Sequence, residues 1–330
     1  MNFERDRAVS RRAFVRTAAL TALAAAGPSR AQEVWPARPV RFIVPSSPGG
    51  GTDLYARLLA QALGEAFRQS FVVENRPGAS GNIGAAAAAK APPDGYTFLV
   101  SANPALTINP SLYASLPYDA ERDFVPIVRV MGPLLLVVHP SFKPRTLAEW
   151  VAAGRLEPGR YSYGSAGTGR PTYLGGRMIE EKTGARFLHV PYKGVGPAYQ
   201  DLLGGQIQFM LPDLASALPH LRSGKVIPVV TDRESPLLPG VPTLASLGFA
   251  DSSAPSAFAL VAPSATPAAI IERMAGEAAA IHRSPAFTAR VESQGLVTVQ
   301  ETQAELVQAL RAERQAYGAF IRRNAIVASD

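Results

Sequence analysis

The stretch that most constrains this chain runs from an apolar strand through two prolines and three glycines straight into a helix-period pattern. Residues 40–44 are rich in β-branched and apolar side chains, which suits a buried strand. Pro45 and Pro48 end the ladder, and Gly49, Gly50 and Gly51 let the backbone turn while leaving its N–H groups uncovered. Thr52 is expected to cap a helix whose apolar face is Leu54, Leu58, Leu59, Ala62, Leu63 and Phe67. A helix start with bare N–H groups attracts anions. Neither phosphate-loop signature fits: no lysine follows the glycines, and Gly51 is followed by Thr52, Asp53 and Leu54 rather than by a further glycine at the dinucleotide spacing.

Strands and helices then alternate. Strand patterns at 71–75 and 96–100 flank a small, alanine-rich helix at 81–90, and the spacing predicts a parallel sheet with right-handed crossovers. Ligands in such sheets sit beyond the carboxyl ends of strands, which places Ser101, Ala102 and Asn103 near residues 46–52. Two strand-like runs within 125–138 meet at Met131-Gly132-Pro133 and lead into a new series. It has helices at 146–153, 173–182, 198–203 and 215–221, and strands at 161–163, 185–190, 206–211 and 226–231. Within that series Gly164–Gly169 repeats the glycine-rich strand-to-helix turn. A strand at 258–261 is expected to return to the first lobe, followed by helices at 267–281 and 303–324. The predicted architecture is a discontinuous first lobe, 33–133 with 256–330, and an inserted second lobe, 134–255.

Residues 1–31 read as a cleavable leader: a basic start containing Arg11-Arg12, an alanine-rich apolar core, and Ser29-Arg30-Ala31 at the cleavage position. Ser10 to Arg16 resembles a twin-arginine export motif, with the general secretory route as the alternative. The chain carries 33 Lys+Arg against 26 Asp+Glu, but six arginines and two acids fall within residues 1–31. The remaining excess is small and gives no reason to propose nucleic acid as a partner. No other apolar run approaches the roughly 18–20 residues of a membrane span, so the mature chain is expected to be a soluble periplasmic protein, and a monomer. Cysteine is absent, which excludes disulfides, thiolate metal sites and cysteine nucleophiles.

Four histidines, His139, His189, His220 and His282, lie in no metal-ligand spacing, and Ser165 follows Tyr163 and Gly164 rather than the nucleophile-elbow pattern. No catalytic arrangement, metal or cofactor is expected. Asp213, after a strand end, either faces the cleft or caps the next helix, and Lys193 either reaches an anionic ligand or is a solvated loop lysine.

Several stretches in order resemble one family, the periplasmic substrate-binding proteins of tripartite tricarboxylate transporters, called Bug proteins. They include Trp35-Pro36, Ile43-Val44-Pro45 with Gly49-Gly50 and Asp53, and Val73-Glu74-Asn75-Arg76-Pro77-Gly78-Ala79. Pro93-Asp94-Gly95-Tyr96, Ser165-Ala166-Gly167-Thr168-Gly169, His189-Val190-Pro191-Tyr192-Lys193-Gly194 and Val241-Pro242-Thr243 continue the series. The resemblance implies an α/β type II periplasmic binding fold, two α/β lobes around a ligand cleft joined by two crossover strands. It also implies a small carboxylate (a di- or tricarboxylate, an aromatic acid or an acidic amino acid) held against the first-lobe loop, here Ser46, Ser47, Pro48, Gly49, Gly50, Gly51, Thr52 and Asp53. The second-lobe loop Ser165, Ala166, Gly167, Thr168 and Gly169 helps to hold it, partly through ordered waters. The implied partners are the large and small membrane subunits of the transporter. A sensor role, signalling to a membrane histidine kinase, is the alternative. Arg170 and Tyr173 stand where the family usually has serine and histidine, and Ala257 stands where a bulky aromatic is common. Arg170 either pairs with a carboxylate in the cleft or is a solvated arginine at a helix start.

Overall fold

The computed structural model describes residues 35–328. The leader therefore lies outside the described residues. Contacts divide the chain after Ala37, and the second unit, from Arg38 onward, carries everything below.

In chain order the strands are β1 (Val40–Val44), β2 (Phe71–Asn75), β3 (Thr97–Ala102), β4 (Phe124–Gly132), β5 (Leu135–Val138) and β6 (Ser162–Ser165). They continue with β7 (Leu188–Pro191), β8 (Phe209–Met210), β9 (Ile227–Thr231), β10 (Ser256–Pro263) and β11 (Val297–Thr298). The helices are α1 (Gly51–Phe67), α2 (Asn82–Ala89), α3 (Asn109–Leu112), α4 (Leu147–Leu156) and α5 (Pro171–Thr183). After them come α6 (Val195–Leu203), α7 (Leu214–Arg222), α8 (Ala268–Arg283), α9 (Pro285–Ser293) and α10 (Gln303–Arg323). Among the described residues no helix is long and apolar enough to cross a membrane.

Two sheets organise the fold, one with strand order β11-β4-β10-β3-β1-β2 and one with β7-β6-β8-β5-β9. This is the two-lobed α/β arrangement of periplasmic binding proteins. The parallel pairing expected of the first three strands holds as β2-β1-β3, and β7-β6-β8 pair in parallel as well. In the first sheet β10 and β11 run opposite to β1, β2 and β3, with β4 between them in the same direction as those three, and in the second β5 runs opposite to its neighbours β8 and β9. The reason is topological. Strands β4 and β10 lie side by side along Ser256↔Gly132 to Pro263↔Phe124, one leaving the first lobe as the other returns. The two crossovers are tied together by Asp232, whose oxygens accept from Leu134 N–H at 2.9 Å and from the Ser253 hydroxyl at 2.9 Å.

Strand ends differ from the sequence expectation where apolar residues serve helix packing instead of ladders. Ala185 and Phe187 are buried in the second-lobe core with Trp150 and Phe209, so only Leu188–Pro191 pairs as β7. The expected strand at 206–211 shrinks to Phe209–Met210. The capping expectation at Thr52 is also corrected. Gly50 is the cap, extended at φ −85° and ψ 170°, and Thr52 lies buried inside the first turn of α1. Gly51, the first helical residue, passes close to β10 and to the start of α7: a Cβ there would stand 2.7 Å from Cζ of Phe258 and 3.2 Å from Oδ1 of Asp213.

Each lobe has its own apolar core, around Ile43, Leu99 and Val261 in the first and around Trp150, Tyr163 and Phe209 in the second. A further cluster spans both, packing Leu174 and Met178 of α5 against Ile108, Leu112, Phe320 and Ile321.

Candidate functional site

At the carboxyl ends of β1 and β3 lies a cavity of about 10 Å³, about the space one water occupies. Of the residues singled out from sequence, Ser46, Thr52, Ser101, Ala102 and Arg170 line it. The first four come from the sheet end and the α1 turn of the first lobe. Arg170, the N-cap of α5, reaches in from the second. Ser80, Gly81, Pro104 and Ala105 also line the cavity and were not anticipated.

Two buried polar atoms at this cavity lack a hydrogen-bond partner, Oγ of Ser46 and Nε of Arg170. Burial lowers the pKa of Arg170, so the environment disfavours its charge. Among the described residues no carboxylate forms an ion pair with it. A buried polar group without a partner costs about 1–3 kcal/mol, more when charged.

The loop before α1 is organised from beneath. Asp53 accepts from Gly49 N–H at 3.0 Å, from both Nε and Nη2 of Arg57 at 3.0 Å, and from Nδ2 of Asn75 at 2.9 Å. The same Asn75 amide donates to the Ser46 carbonyl at 3.1 Å. Burial opposes ionisation of Asp53, but the hydrogen bonds from Arg57, Gly49 and Asn75 outweigh it and hold its pKa below the ordinary value. Asp53 thus shapes the turn and does not line the cavity. Ser47, Pro48 and Gly49 are exposed, and Gly50 and Gly51 do not line the cavity either.

The wall that sequence reading missed is built from strained backbone. Gly78, Ala79, Ser80 and Gly81 have φ of 125°, 44°, 52° and 93°, a left-handed run containing two residues with a Cβ. Asn109 holds it, donating to the Ser80 carbonyl at 3.1 Å and to Oδ1 of Asn82 at 2.7 Å, which also accepts from the Tyr118 hydroxyl at 2.9 Å. Nothing in the residue types of Ala79 or Ser80 announces this conformation. The preceding Arg76-Pro77-Gly78 was the available signal.

The other singled-out residues have positions that redirect their roles. Asn103 is 2 % exposed. Its Nδ2 donates to Glu313 at 3.1 Å and its Oδ1 accepts from Ala257 N–H at 2.5 Å, so it locks β3 to β10. Ala257 itself is buried in β10. Ser165 is fully buried, with Oγ 2.7 Å from Nε2 of His189 and accepting from Gly167 N–H at 3.1 Å. His189 packs against Tyr163 and Tyr173, and burial pushes its pKa down to about 4, so the ring is neutral at pH 7. The pair shapes the loop. Thr172, another unanticipated contributor, accepts from Ala166 N–H at 3.0 Å. Gly169, at φ 81°, packs its bare Cα against Leu112 of the first lobe. Ala166, Gly167 and Thr168 are half-buried and do not line the cavity. Asp213 resolves as a cap: its Oδ1 accepts from Ser216 N–H at 3.0 Å at the start of α7, and burial raises its pKa. Lys193 is exposed on the loop after β7. Among the described residues no group of three His, Asp or Glu side chains is placed to hold a metal ion.

Residues 55–326 match the family model described as the tripartite tricarboxylate transporter family receptor. The Bordetella pertussis protein BugT is 38 % identical over 262 residues, 78 % of each chain. Among solved structures, R. palustris Rpa4515 with adipate superposes with a TM-score of 0.84 at 31 % identity, covering 89 % of this chain and 99 % of that one. MatC from Rhodopseudomonas palustris with bound malate gives a TM-score of 0.78 at 27 % identity, covering 86 % and 99 %.

Proposed function

Because the chain belongs to the tripartite tricarboxylate transporter receptor family, a family of periplasmic solute-binding receptors, we propose that it binds a small carboxylate in the cleft at the ends of β1 and β3 and presents it to the membrane subunits of such a transporter. Its role is capture without turnover. Relatives whose structures hold adipate and malate support an aliphatic acid as ligand.

One observation carries the placement. The unpartnered Ser46 hydroxyl and the Arg170 guanidinium, from different lobes, meet at the same cavity. One carboxylate oxygen is read as accepting from Ser46 and from backbone N–H groups of the α1 turn, where the helix dipole favours negative charge. The Ser165–Gly169 loop supplies the second side by carrying Arg170. The cavity is too small for such an acid as the lobes now stand, so binding requires them to part and close again about Pro133–Leu134 and the Ser253–Ser256 return, a hinge motion. The proposed division puts 33–133 with 256–330 in one lobe and 134–255 in the other, and the distribution of strands between the two sheets supports it. Export by the leader at 1–31 accompanies this reading.

Titration calorimetry with succinate, adipate, malate, citrate, benzoate and glutamate tests it. Binding of at least one acid below millimolar is expected, and no heat from any of them would sink the assignment.

A further inference from the structure

We propose that Asn109 is a positioning residue of this cleft: without reaching the cavity itself, it joins two separate segments of the cavity wall and so sets the fraction of molecules able to receive the ligand. The inference rests on the reading of the cleft as a carboxylate site and goes further by placing a source of its affinity beyond the ligand's reach.

The two segments are the left-handed run Gly78 to Gly81 and the single π-helical turn Pro104–Ile108. The first brings Ser80 and Gly81 to the cavity, the second Pro104 and Ala105. Asn109 is fully buried and is not in the lining. Its backbone N–H closes the π-turn on the Pro104 carbonyl. Its side-chain Nδ2 donates to the Ser80 carbonyl at 3.1 Å and to Oδ1 of Asn82 at 2.7 Å. The Tyr118 hydroxyl extends the same network, lying 2.9 Å from Oδ1 of Asn82 and 2.9 Å from the Ala105 carbonyl. One buried residue thus braces both walls, and it grips their backbone, leaving the lining side chains free for the ligand.

The first wall needs such a brace. Ala79 and Ser80 stand at φ 44° and 52°, where a Cβ crowds the following carbonyl oxygen. Strain of this kind persists only where surrounding contacts over-determine the conformation. Within the segment, Gly81 N–H donates to the Gly78 carbonyl at 2.9 Å. From outside it, the bond to the Ser80 carbonyl comes from Asn109. The segment also leans on the end of β1: a Cβ at Gly84 would stand 2.7 Å from Cβ of Pro45, which lines the cavity beside Ser46. A relaxed Ser80 would therefore disturb the sheet end as well as its own wall. When the binding-competent wall is present in only a fraction of molecules, the measured affinity falls by that fraction.

Calorimetry on the full mature chain tests this, using whichever of succinate, adipate, malate, citrate, benzoate and glutamate binds wild type most tightly. Asn109→Ala is expected to bind about 5- to 30-fold more weakly, the span set by the cost of one left-handed residue that carries a Cβ. The decisive comparison repeats the substitution in an Ala79→Gly, Ser80→Gly background, where glycine takes the same backbone conformation without that cost. There Asn109→Ala is expected to change the affinity by less than about threefold. Should Asn109→Ala not fold, Tyr118→Phe, which removes the second brace on Asn82, is expected to weaken binding in the same direction and to be rescued by the same background. An unchanged dissociation constant in Asn109→Ala, or in Tyr118→Phe where that variant stands in, overturns the inference even if the melting temperature falls, because a purely structural residue would behave so. A loss as large in the glycine background as in wild type overturns it too. Both results leave the carboxylate reading intact, whereas absence of binding by every acid in wild type overturns that reading and this one with it.

Discussion

Removing Arg129 should destabilise the protein in a pH-dependent way that the burial of its partners sets. Arg129 lies on β4 with its side chain 9 % exposed, between Glu301 at 13 % and Glu313 at 22 %. Its Nε and Nη2 fork onto the two oxygens of Glu301 at 2.8 and 3.0 Å, and its Nη1 donates to Glu313 at 2.6 Å. Arg129→Met keeps much of the side-chain volume and leaves two carboxylates facing each other without a cation. Breaking a buried pair in this way costs about 3–5 kcal/mol, or about 6–20 °C in melting temperature at 2–4 °C per kcal/mol for a chain of this size. Burial already raises the pKa of Glu313 even with Arg129 present. Without the arginine it rises further, since the cation that opposes the effect of burial is gone. A carboxyl whose folded pKa is raised loses stability as pH climbs from the unfolded value, about 4.3, through the folded one. The deficit of Arg129→Met should therefore be largest at pH 7–8 and shrink as pH falls toward about 5. Adding Glu301→Gln and Glu313→Gln should recover most of the loss and flatten the pH profile. Thermal melts followed by circular dichroism from pH 4.5 to 8 read this directly. A deficit below about 1 kcal/mol, or one equal at pH 5 and pH 8, refutes the reasoning. Because Glu313 also accepts from Asn103, the same variant should weaken ligand binding by loosening the end of β3.

Other outcomes follow from single positions. A Cβ at Gly50 meets nothing within 4 Å, so Gly50→Val should fold normally yet bind the carboxylate about tenfold more weakly by crowding the turn; an unchanged dissociation constant in calorimetry removes that turn from the site. Gly51→Ala, one residue on, meets the Phe258 ring and should cost about 1–3 kcal/mol, read as a fall in denaturation midpoint, whereas a midpoint equal to that of Gly50→Ala contradicts the close approach. Gly169→Ala combines a left-handed φ of 81° with contact on Leu112 and should lose about 2–4 kcal/mol, unless the lobes do not meet there. Burial pushes Asp232 up to about 6; since this raised pKa makes ionisation unfavourable in the fold, wild type should lose stability relative to Asp232→Asn as pH rises from about 4, and parallel pH profiles for the two proteins would count against it.

Much of the architecture was legible because the first lobe states its periods plainly. Val40–Val44, three glycines and the Leu58–Leu59–Leu63 stripe admit few arrangements, and the rule that ligands sit beyond strand ends is enough to bring Ser101 and Ala102 beside Ser46 and Thr52, where they line one cavity. What was not legible depended on distant partners. Asn103 and Asp53 look like ligand groups from their neighbours in sequence, but Asn103 is consumed by Glu313, 210 positions away, and Asp53 by Arg57 and Asn75. Ser80 reaches the cavity through a backbone conformation that a serine rarely adopts. Asp213 offered two readings from sequence, and only the 3.0 Å bond from Ser216 N–H decides for the cap. Arg170 was open in the same way, and its place in the lining of the cavity favours the first reading.

The apolar cluster joining Leu174 and Met178 to Ile108, Leu112, Phe320 and Ile321 bears on how the receptor registers its ligand. Parting the lobes wets this surface, so the open form carries a higher heat capacity than the closed one. A receptor that rests open dries the cluster on binding and shows a distinctly negative heat-capacity change. One that rests as seen here, with α5 already seated against α10, opens only transiently to admit the acid and shows a small one. In the second case the measured affinity is the intrinsic affinity scaled by the small fraction of open molecules. Because the lobes close again over the acid, the seam is present before and after binding, so substitutions at Leu174 or Met178 that weaken it would speed entry of the ligand and leave the affinity little changed.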